Sequence, residues 1–178
     1  MTKLYIIGTL HAGLTPNEEL EEVLREYEPQ QLLVEIAQED IDSDDISKYP
    51  SEMVFAYNWA RKNELPVAGF DCKMNTFKTG KTSEDNENLI EKQKASMGKL
   101  TWKDMNKSEN DRILNSAISE DENVVDAELE KIRNEKMVEN IKRMKAKNGN
   151  IVVLTGCAHL DFFQTSFPMA VLPLREDK

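Results

Sequence analysis

The chain has 178 residues, a length that fits one domain with a core large enough to need no disulfide or structural metal. Acidic residues outnumber basic ones by 33 to 23, and the net charge of −10 argues against a nucleic-acid partner, whose phosphates would be repelled. No apolar stretch approaches the length of a membrane span. With two cysteines and no export signal, we expect a cytoplasmic protein with reduced thiols and no membrane association.

The first part of the chain has the pattern of a βαβ unit. Residues 4–7 form an apolar run that predicts a buried strand, and residues 32–36 predict a second one. Between them, residues 15–18 match a capping box, which predicts a helix that begins at Pro16 and ends before Pro29. Because such crossovers are nearly always right-handed, we expect the two strands to be parallel.

Later segments continue the alternation of strands and helices. Residues 38–49 are acidic and predict a loop. Apolar runs predict further strands at residues 66–71 and 151–155, and a last edge strand at 169–172. Apolar residues at helical spacing predict helices at residues 51–63 and 124–147.

The stretch from about residue 73 to residue 122 is polar and charged, with few apolar residues. It predicts one or two weakly amphipathic helices that form a lid inserted into the domain. We therefore expect residues 1–178 to form a single α/β domain. Its mainly parallel sheet would have four or five strands flanked by helices.

The only two histidines of the chain, His11 and His159, lie in the same Gly-x-x-His frame. One frame is residues 8–11 and the other is residues 156–159, and each directly follows an apolar strand-like run. If the two strands are neighbours in one sheet, both imidazoles emerge at its carboxyl edge, where ligands of open α/β sheets bind. The duplicated frame therefore predicts a functional site.

Other titratable residues are predicted to lie near the same edge. Glu35 lies within the buried run 32–36, and an unpaired buried charge costs several kcal/mol or more, so Glu35 should meet a metal, a cation or a hydrogen-bonding network. Asp71 ends the third strand, where it is either a ligand or a cap. Arg133 lies on the apolar side of the late helix, where its guanidinium can pair with Glu35 or bind a substrate oxyanion.

Four segments resemble the TraB/PrgY/GumN/TIKI group, which is related more distantly to the ChaN and erythromycin-esterase families. They are residues 8–11, the Val-Glu of the second strand at 34–35, the helix segment 132–141 with Arg133, and residues 154–159. The resemblance spans nearly the whole chain and implies a metal-dependent hydrolase of the TraB or TIKI type. The positions that it carries over are His11, Glu35, Arg133 and His159, with Asp71 as a further candidate.

Two imidazoles and one carboxylate, with an open position for water, are the composition of a catalytic divalent-metal centre. We expect His11, Glu35 and His159 to bind the metal ion, with Asp71 as a fourth candidate ligand. Manganese, cobalt and zinc are plausible. The metal would activate water, and Arg133 would stabilise the oxyanion during cleavage of a peptide or ester bond in a peptide or small-molecule substrate.

Two alternatives remain open from the sequence alone. In the first, a histidine oriented by Glu35 activates water directly without a metal, as the erythromycin-esterase relatives do by resemblance. In the second, the chain is a binding module that holds a peptide or small molecule without turnover. Cys157, close to His159, is a conceivable nucleophile, although such a cysteine is more often a small buried apolar residue.

Overall fold

The computed structural model describes residues 2–116, 124–144 and 148–175. Within these residues, a four-stranded parallel sheet forms the centre of the molecule. Its strands are β1 (Lys3–Thr9), β2 (Gln31–Ala37), β3 (Val67–Asp71) and β4 (Asn150–Gly156). The α/β fold with a mainly parallel sheet, predicted from the sequence, is confirmed.

The strand order is β1-β4-β2-β3, so the last strand lies between the first two. β1 and β4 pair along their whole length, with Gly8 opposite Thr155 and Thr9 opposite Gly156. The two strands that precede the histidine frames are therefore direct neighbours. Both frames leave the sheet at the same edge.

Helices cover both faces of the sheet. The described helices are α1 (Asn17–Glu26), α2 (Gln38–Asp42), α3 (Ser51–Lys62), α4 (Ser83–Met97), α5 (Asp111–Ser116), α6 (Ala127–Met144) and α7 (Leu160–Ser166). α1 packs with α3, and α6 packs with α7. The chain advances from β1 to β3 and then returns to β4, so right-handed crossovers place the two pairs on opposite faces. Accordingly, β2 and β4 are almost entirely buried.

The predicted capping box at residues 15–18 is wrong. Helix α1 begins at Asn17, and the residue before it, Pro16, makes no side-chain cap. The Thr15 hydroxyl instead accepts a hydrogen bond from the Leu10 N–H at 2.8 Å and donates one to the Leu10 carbonyl at 2.9 Å. Thr15 therefore closes the loop that carries His11.

Three other boundaries differ from the sequence prediction. The acidic segment 38–49 is not all loop, because α2 forms over its first five residues. Residues 169–172 do not form a strand; a single bridge joins Val171 to Tyr5 on the outer side of β1. The late helix covers Ala127–Met144, so it begins three residues after the predicted start at residue 124. The predicted residues 145–147 lie outside the described residues.

The inserted segment contains α4, two short 3-10 turns and α5, while its predicted residues 117–122 lie outside the described part. Its two ends meet in a neck formed by residues 76–78 and 124–126. There the Lys78 N–H donates to the Val124 carbonyl at 2.9 Å, and the Asp126 N–H donates to the Thr76 carbonyl at 2.8 Å. Among the described helices, none combines the length and apolar composition that crossing a bilayer requires.

Candidate functional site

The glycine of the second histidine frame makes room for both imidazoles. A Cβ added at Gly156 would lie 3.1 Å from His11 Nε2 and 3.6 Å from His159 Cδ2. The two rings therefore border the same point of the backbone. A larger residue at this position would push His11 away from the sheet edge.

Gly8, in the first frame, allows neighbouring side chains to pack closely against the backbone. A Cβ there would lie 2.7 Å from Leu160 Cδ1, 2.8 Å from Cys157 Sγ and 2.9 Å from Asn106 Oδ1. Asn106 belongs to the inserted segment, and its amide bonds both backbone groups of Gly8, at 2.8 Å from the N–H and 2.9 Å from the carbonyl. The first frame is thus bound directly to the insertion.

His11 is oriented by a carboxylate that the sequence analysis did not single out. Its Nδ1 lies 2.6 Å from Oε1 of Glu52, which is fully buried in the first turn of α3. A helix N-terminus favours a carboxylate at this position. One signal was available in the sequence, because Glu52 is four and eight residues before Ala56 and Ala60 on the buried face of α3.

The surroundings of His11 favour its protonated form. Burial in the site lowers the pKa of the imidazole, but the hydrogen bond with Glu52 and the negative charges of Glu35 and Glu52 outweigh burial and the opposing charge of Arg133. The pKa of His11 is therefore raised above its ordinary value of 6.5. A histidine of this kind is a stronger base than a solvated one.

His159 is held by the second buried carboxylate. Its Nε2 lies 3.3 Å from Glu35 Oε1, while Glu35 Oε2 accepts hydrogen bonds from the Thr155 hydroxyl and the Gly156 N–H, both at 2.7 Å. Burial raises the pKa of Glu35, but the neighbouring His159 and Arg133 outweigh it and hold that pKa well below its usual range. Glu35 is therefore an ionised carboxylate at neutral pH.

A β-bulge lies at the position of Glu35. Val34 is paired with Gly69 and Ala37 with Asp71, so β2 has one more residue than β3 over this interval. Bulges of this kind bend a strand and redirect a side chain. The side chain of Glu35 is directed at the end of β4, where its carboxylate accepts hydrogen bonds from Thr155 and Gly156.

Arg133 pairs with Glu35, which is one of the two roles proposed for it from the sequence. Nη2 donates to Glu35 Oε1 and to Asp71 Oδ2, both at 2.9 Å, and Nε donates to Asp71 Oδ1 at 3.0 Å. Nη1 donates to Glu130 Oε1 at 3.2 Å. Because most of its N–H groups are directed at these three carboxylates, Arg133 organises the site, and its geometry does not favour the proposed oxyanion role.

Glu130 is a further residue that the sequence analysis did not identify. Its Oε1 lies 3.8 Å from His159 Nδ1, on the side of the ring opposite to Glu35. Glu130 precedes Arg133 by three residues on α6, so both side chains reach the sheet edge from one face of the helix. The sequence gives little signal for Glu130, because acidic residues are frequent throughout this helix.

The two histidines, Glu35, Arg133 and Glu130 line a cavity of about 670 Å³, a size typical of small-molecule sites. Its polar floor is the carboxyl edge of the sheet. Its walls come from α4, α6, α7 and the loop after β1. Apolar side chains of these walls include Leu10, Leu14, Leu89, Ile90, Met97 and Phe162.

The predicted metal ligands do not fit a metal ion in this arrangement. Within the described residues, no three His, Cys, Asp or Glu side chains come together in a way that could hold one. The oxygens of Glu35 accept hydrogen bonds from Thr155, Gly156 and Arg133, and those of Asp71 accept from Arg133 and the Cys72 N–H. The metal ion implied by the resemblance stays a prediction.

Cys157 borders the cavity but has the properties of a buried apolar residue. It is 4% exposed, and burial raises the pKa of its thiol far above the ordinary value. The thiolate that a nucleophile requires is therefore scarce at neutral pH.

Comparison of the chain with protein families, curated proteins and solved structures gave no match.

Proposed function

We propose that the chain is a hydrolase that cleaves a peptide or ester bond, with His11 as general base. One observation carries this proposal. Each of the two histidines is held through one ring nitrogen by a buried carboxylate, His11 by Glu52 and His159 by Glu35, and both line the same cavity. A carboxylate that fixes the tautomer and orientation of an imidazole is the arrangement of histidine bases in hydrolases.

The reaction follows from the position of the two rings. With Glu52 accepting the Nδ1–H of His11, Nε2 is the basic nitrogen and takes a proton from water. The hydroxide adds to the carbonyl carbon of the substrate. His159 then donates a proton to the leaving nitrogen or oxygen as its bond to that carbon breaks, releasing a carboxylic acid and an amine or alcohol.

Arg133 has a positioning role in this scheme. It holds Glu35 and Asp71 together and contacts Glu130, so each of these three carboxylates has a cationic partner in a poorly solvated site. Glu35 in turn orients His159. The resemblance to the TraB/TIKI group supports hydrolysis as well, through motifs that contain His11, Glu35, Arg133 and His159.

Turnover of a substrate panel tests the proposal. We expect the purified protein to hydrolyse members of a series of p-nitrophenyl esters and fluorogenic peptides. His11→Gln should lower kcat/KM at least about 100-fold by removing the general base. Glu139→Gln, which replaces an exposed carboxylate of α6, is the matched control and should keep the wild-type rate. Binding without turnover, or a fully active His11→Gln, would show that the chain is not this hydrolase.

Metal analysis separates the two mechanisms of hydrolysis. For the histidine-base mechanism we expect full activity after dialysis against a chelator and no stoichiometric metal by elemental analysis. Activity that is lost with the chelator and restored by manganese, cobalt or zinc would overturn this mechanism and support the metal centre predicted by resemblance.

A further inference from the structure

The charged side chains that line the cavity do not all neutralise one another. Arg133 is offset by Asp71, Glu35 and Glu130, of which the last two also line the cavity. Two further lysines line the cavity, Lys94 on α4 and Lys131 on α6. Within the residues that the structure describes, neither lysine forms an ion pair with a carboxylate that lines the cavity.

The two lysines differ in their partners. Lys94 pairs with Glu91 at 2.6 Å on the same helix, and that carboxylate is 70% exposed. Lys131 has no ion pair with any residue in the described part of the chain. Lys131, an exposed side chain of α6, is thus a cavity-lining cation without an ion-pair partner among the described residues.

The rest of the wall near these lysines is apolar. Ile90 and Met97 lie on the same face of α4 as Lys94, because they are four and three residues from it, and Leu89 also lines the cavity. Phe162 and Leu14 contribute from α7 and the loop after β1. A ligand that fills the cavity would bury an apolar group against these side chains.

We propose that the substrate of this site joins an apolar group to an anionic one, as in an N-acyl amino acid or a short apolar peptide with a free terminal carboxylate. The apolar group would lie against α4, and the carboxylate would pair with Lys131. This inference rests on the proposed hydrolase function, since it places the scissile amide between the two groups and beside His11. Hydrolysis adds water across that amide and releases a carboxylic acid and an amino acid.

Matched ligands that differ only in the carboxylate test this proposal. We would compare N-acyl-leucines with the corresponding N-acyl-leucinamides, with acyl chains of four to twelve carbons, by calorimetric titration of the His11→Gln variant, in which turnover is blocked. We expect the best acid to bind about tenfold more tightly than its amide, which is the size of one charge-assisted interaction. Equal affinity of acid and amide, or no binding of either, would overturn the inference.

Substitution of single lysines tests which side chain binds the carboxylate of the ligand. Lys131→Met in the same background should weaken binding of the acid about tenfold and leave binding of the amide unchanged. Lys136→Met is the matched control, because Lys136 lies on α6 without lining the cavity, and it should change neither affinity. An unchanged acid affinity in Lys131→Met would overturn the assignment.

Turnover of the same pairs by the wild-type chain separates this inference from the proposed function. Hydrolysis with a lower KM for the acid than for the matched amide supports the proposed function and the inference about the carboxylate. Carboxylate-dependent binding without any product supports the recognition of the anion and overturns the hydrolase.

Discussion

The hydrogen bond between His11 and Glu52 sets the pH at which the proposed base can act. Burial lowers the pKa of His11, while Glu52 and the charge of Glu35 raise it above 6.5. The protonated imidazole cannot accept a proton, so we expect kcat/KM to fall as the pH decreases through this raised pKa. In Glu52→Gln, the acidic limb should move to lower pH and the plateau rate should also fall.

A pH profile of kcat/KM measures both effects, and Glu39→Gln is its control. Glu39 is exposed on α2, and its removal should leave the limb in place. An acidic limb at the same pH in wild type and Glu52→Gln would mean that Glu52 does not act on His11.

The Glu35 carboxylate contributes to stability as well as to the site. Glu35→Gln keeps the shape of the side chain but leaves Arg133 with one partner fewer in a poorly solvated place. We expect the free energy of unfolding at pH 7 to fall by about 3 kcal/mol, the magnitude of breaking a buried ion pair. Urea denaturation measures this difference, and Glu139→Gln on the exposed face of α6 should change it little.

The pH dependence of that difference has a definite sign. The pKa of Glu35 is lowered from 4.5 in the folded state, so its contribution is present above about pH 4.5 and is lost only as the pH falls through the lowered value. The wild type should therefore remain more stable than Glu35→Gln from pH 7 to about pH 4.5. A difference that disappears already at pH 6 would contradict this assignment.

Sequence patterns could indicate some residues at this edge and not others. His11 and His159 share a duplicated frame, and Glu35 interrupts an apolar run, so local pattern alone draws attention to them. Glu52 and Glu130 stand among many other acidic residues on helices. Their significance depends on which helix faces the edge of the sheet, and that is decided by tertiary packing.

Among the elements, the bulge in β2 depends on a glycine of the neighbouring strand. A Cβ added at Gly69 would lie 2.3 Å from the Ile36 carbonyl oxygen, which is backbone and cannot rotate away. We expect Gly69→Ala to lower the free energy of unfolding by about 2 kcal/mol or more, as overpacking does, and to displace Glu35. Urea denaturation and the kcat/KM of the variant report the two effects.

Ala68→Gly is the counterpart on the same strand, because it removes a Cβ and cannot create this collision. It should leave kcat/KM close to that of the wild type. A Gly69→Ala variant with wild-type stability would show that the bulge relaxes without cost.

Element prediction succeeded where one local signal dominated. The apolar runs of β1, β2, β3 and β4 predicted their strands because these strands are buried in a parallel sheet. The capping box failed because the Thr15 hydroxyl has a competing partner in Leu10. The 169–172 segment failed because only Val171 pairs with β1.

For the whole molecule, strand order is the property that local pattern could not supply. β4 lies between β1 and β2 although about 110 residues separate it from β2 in the chain. That order makes neighbours of the two histidine frames. From the sequence, the two histidines share a site if their strands are neighbours. The sequence does not show that the strands are neighbours.

Arg175 joins the end of the described chain to the insertion and to α7. Its guanidinium donates to Asp111 at 2.7 and 2.9 Å and to Gln164 at 2.7 Å, and it lies 3.4 Å from Asp161. Arg175 is 5% exposed, and its removal leaves the partly buried Asp111 carboxylate without this partner. We expect Arg175→Met to lower the free energy of unfolding by about 2 kcal/mol.

Chemical denaturation measures this loss, and hydrogen exchange locates it. Exchange should increase in α5 and at the amide of Gly8, which Asn106 binds. Arg112→Met replaces an exposed arginine of the same helix and should change neither quantity. Unaltered exchange at Gly8 in Arg175→Met would show that the contacts of Arg175 are not coupled to the hydrogen bond between Asn106 and Gly8.

The neck at residues 76–78 and 124–126 has a consequence for how this fold can diversify. Because the chain leaves and re-enters the domain at hydrogen-bonded neighbours, the part of the insertion that carries α4 could change in length without moving the neck. The cavity wall formed by α4 would change with it, provided that Asn106 keeps its hydrogen bonds with Gly8 at the sheet edge. The apolar wall of the cavity is thus the part of the site that can vary most freely.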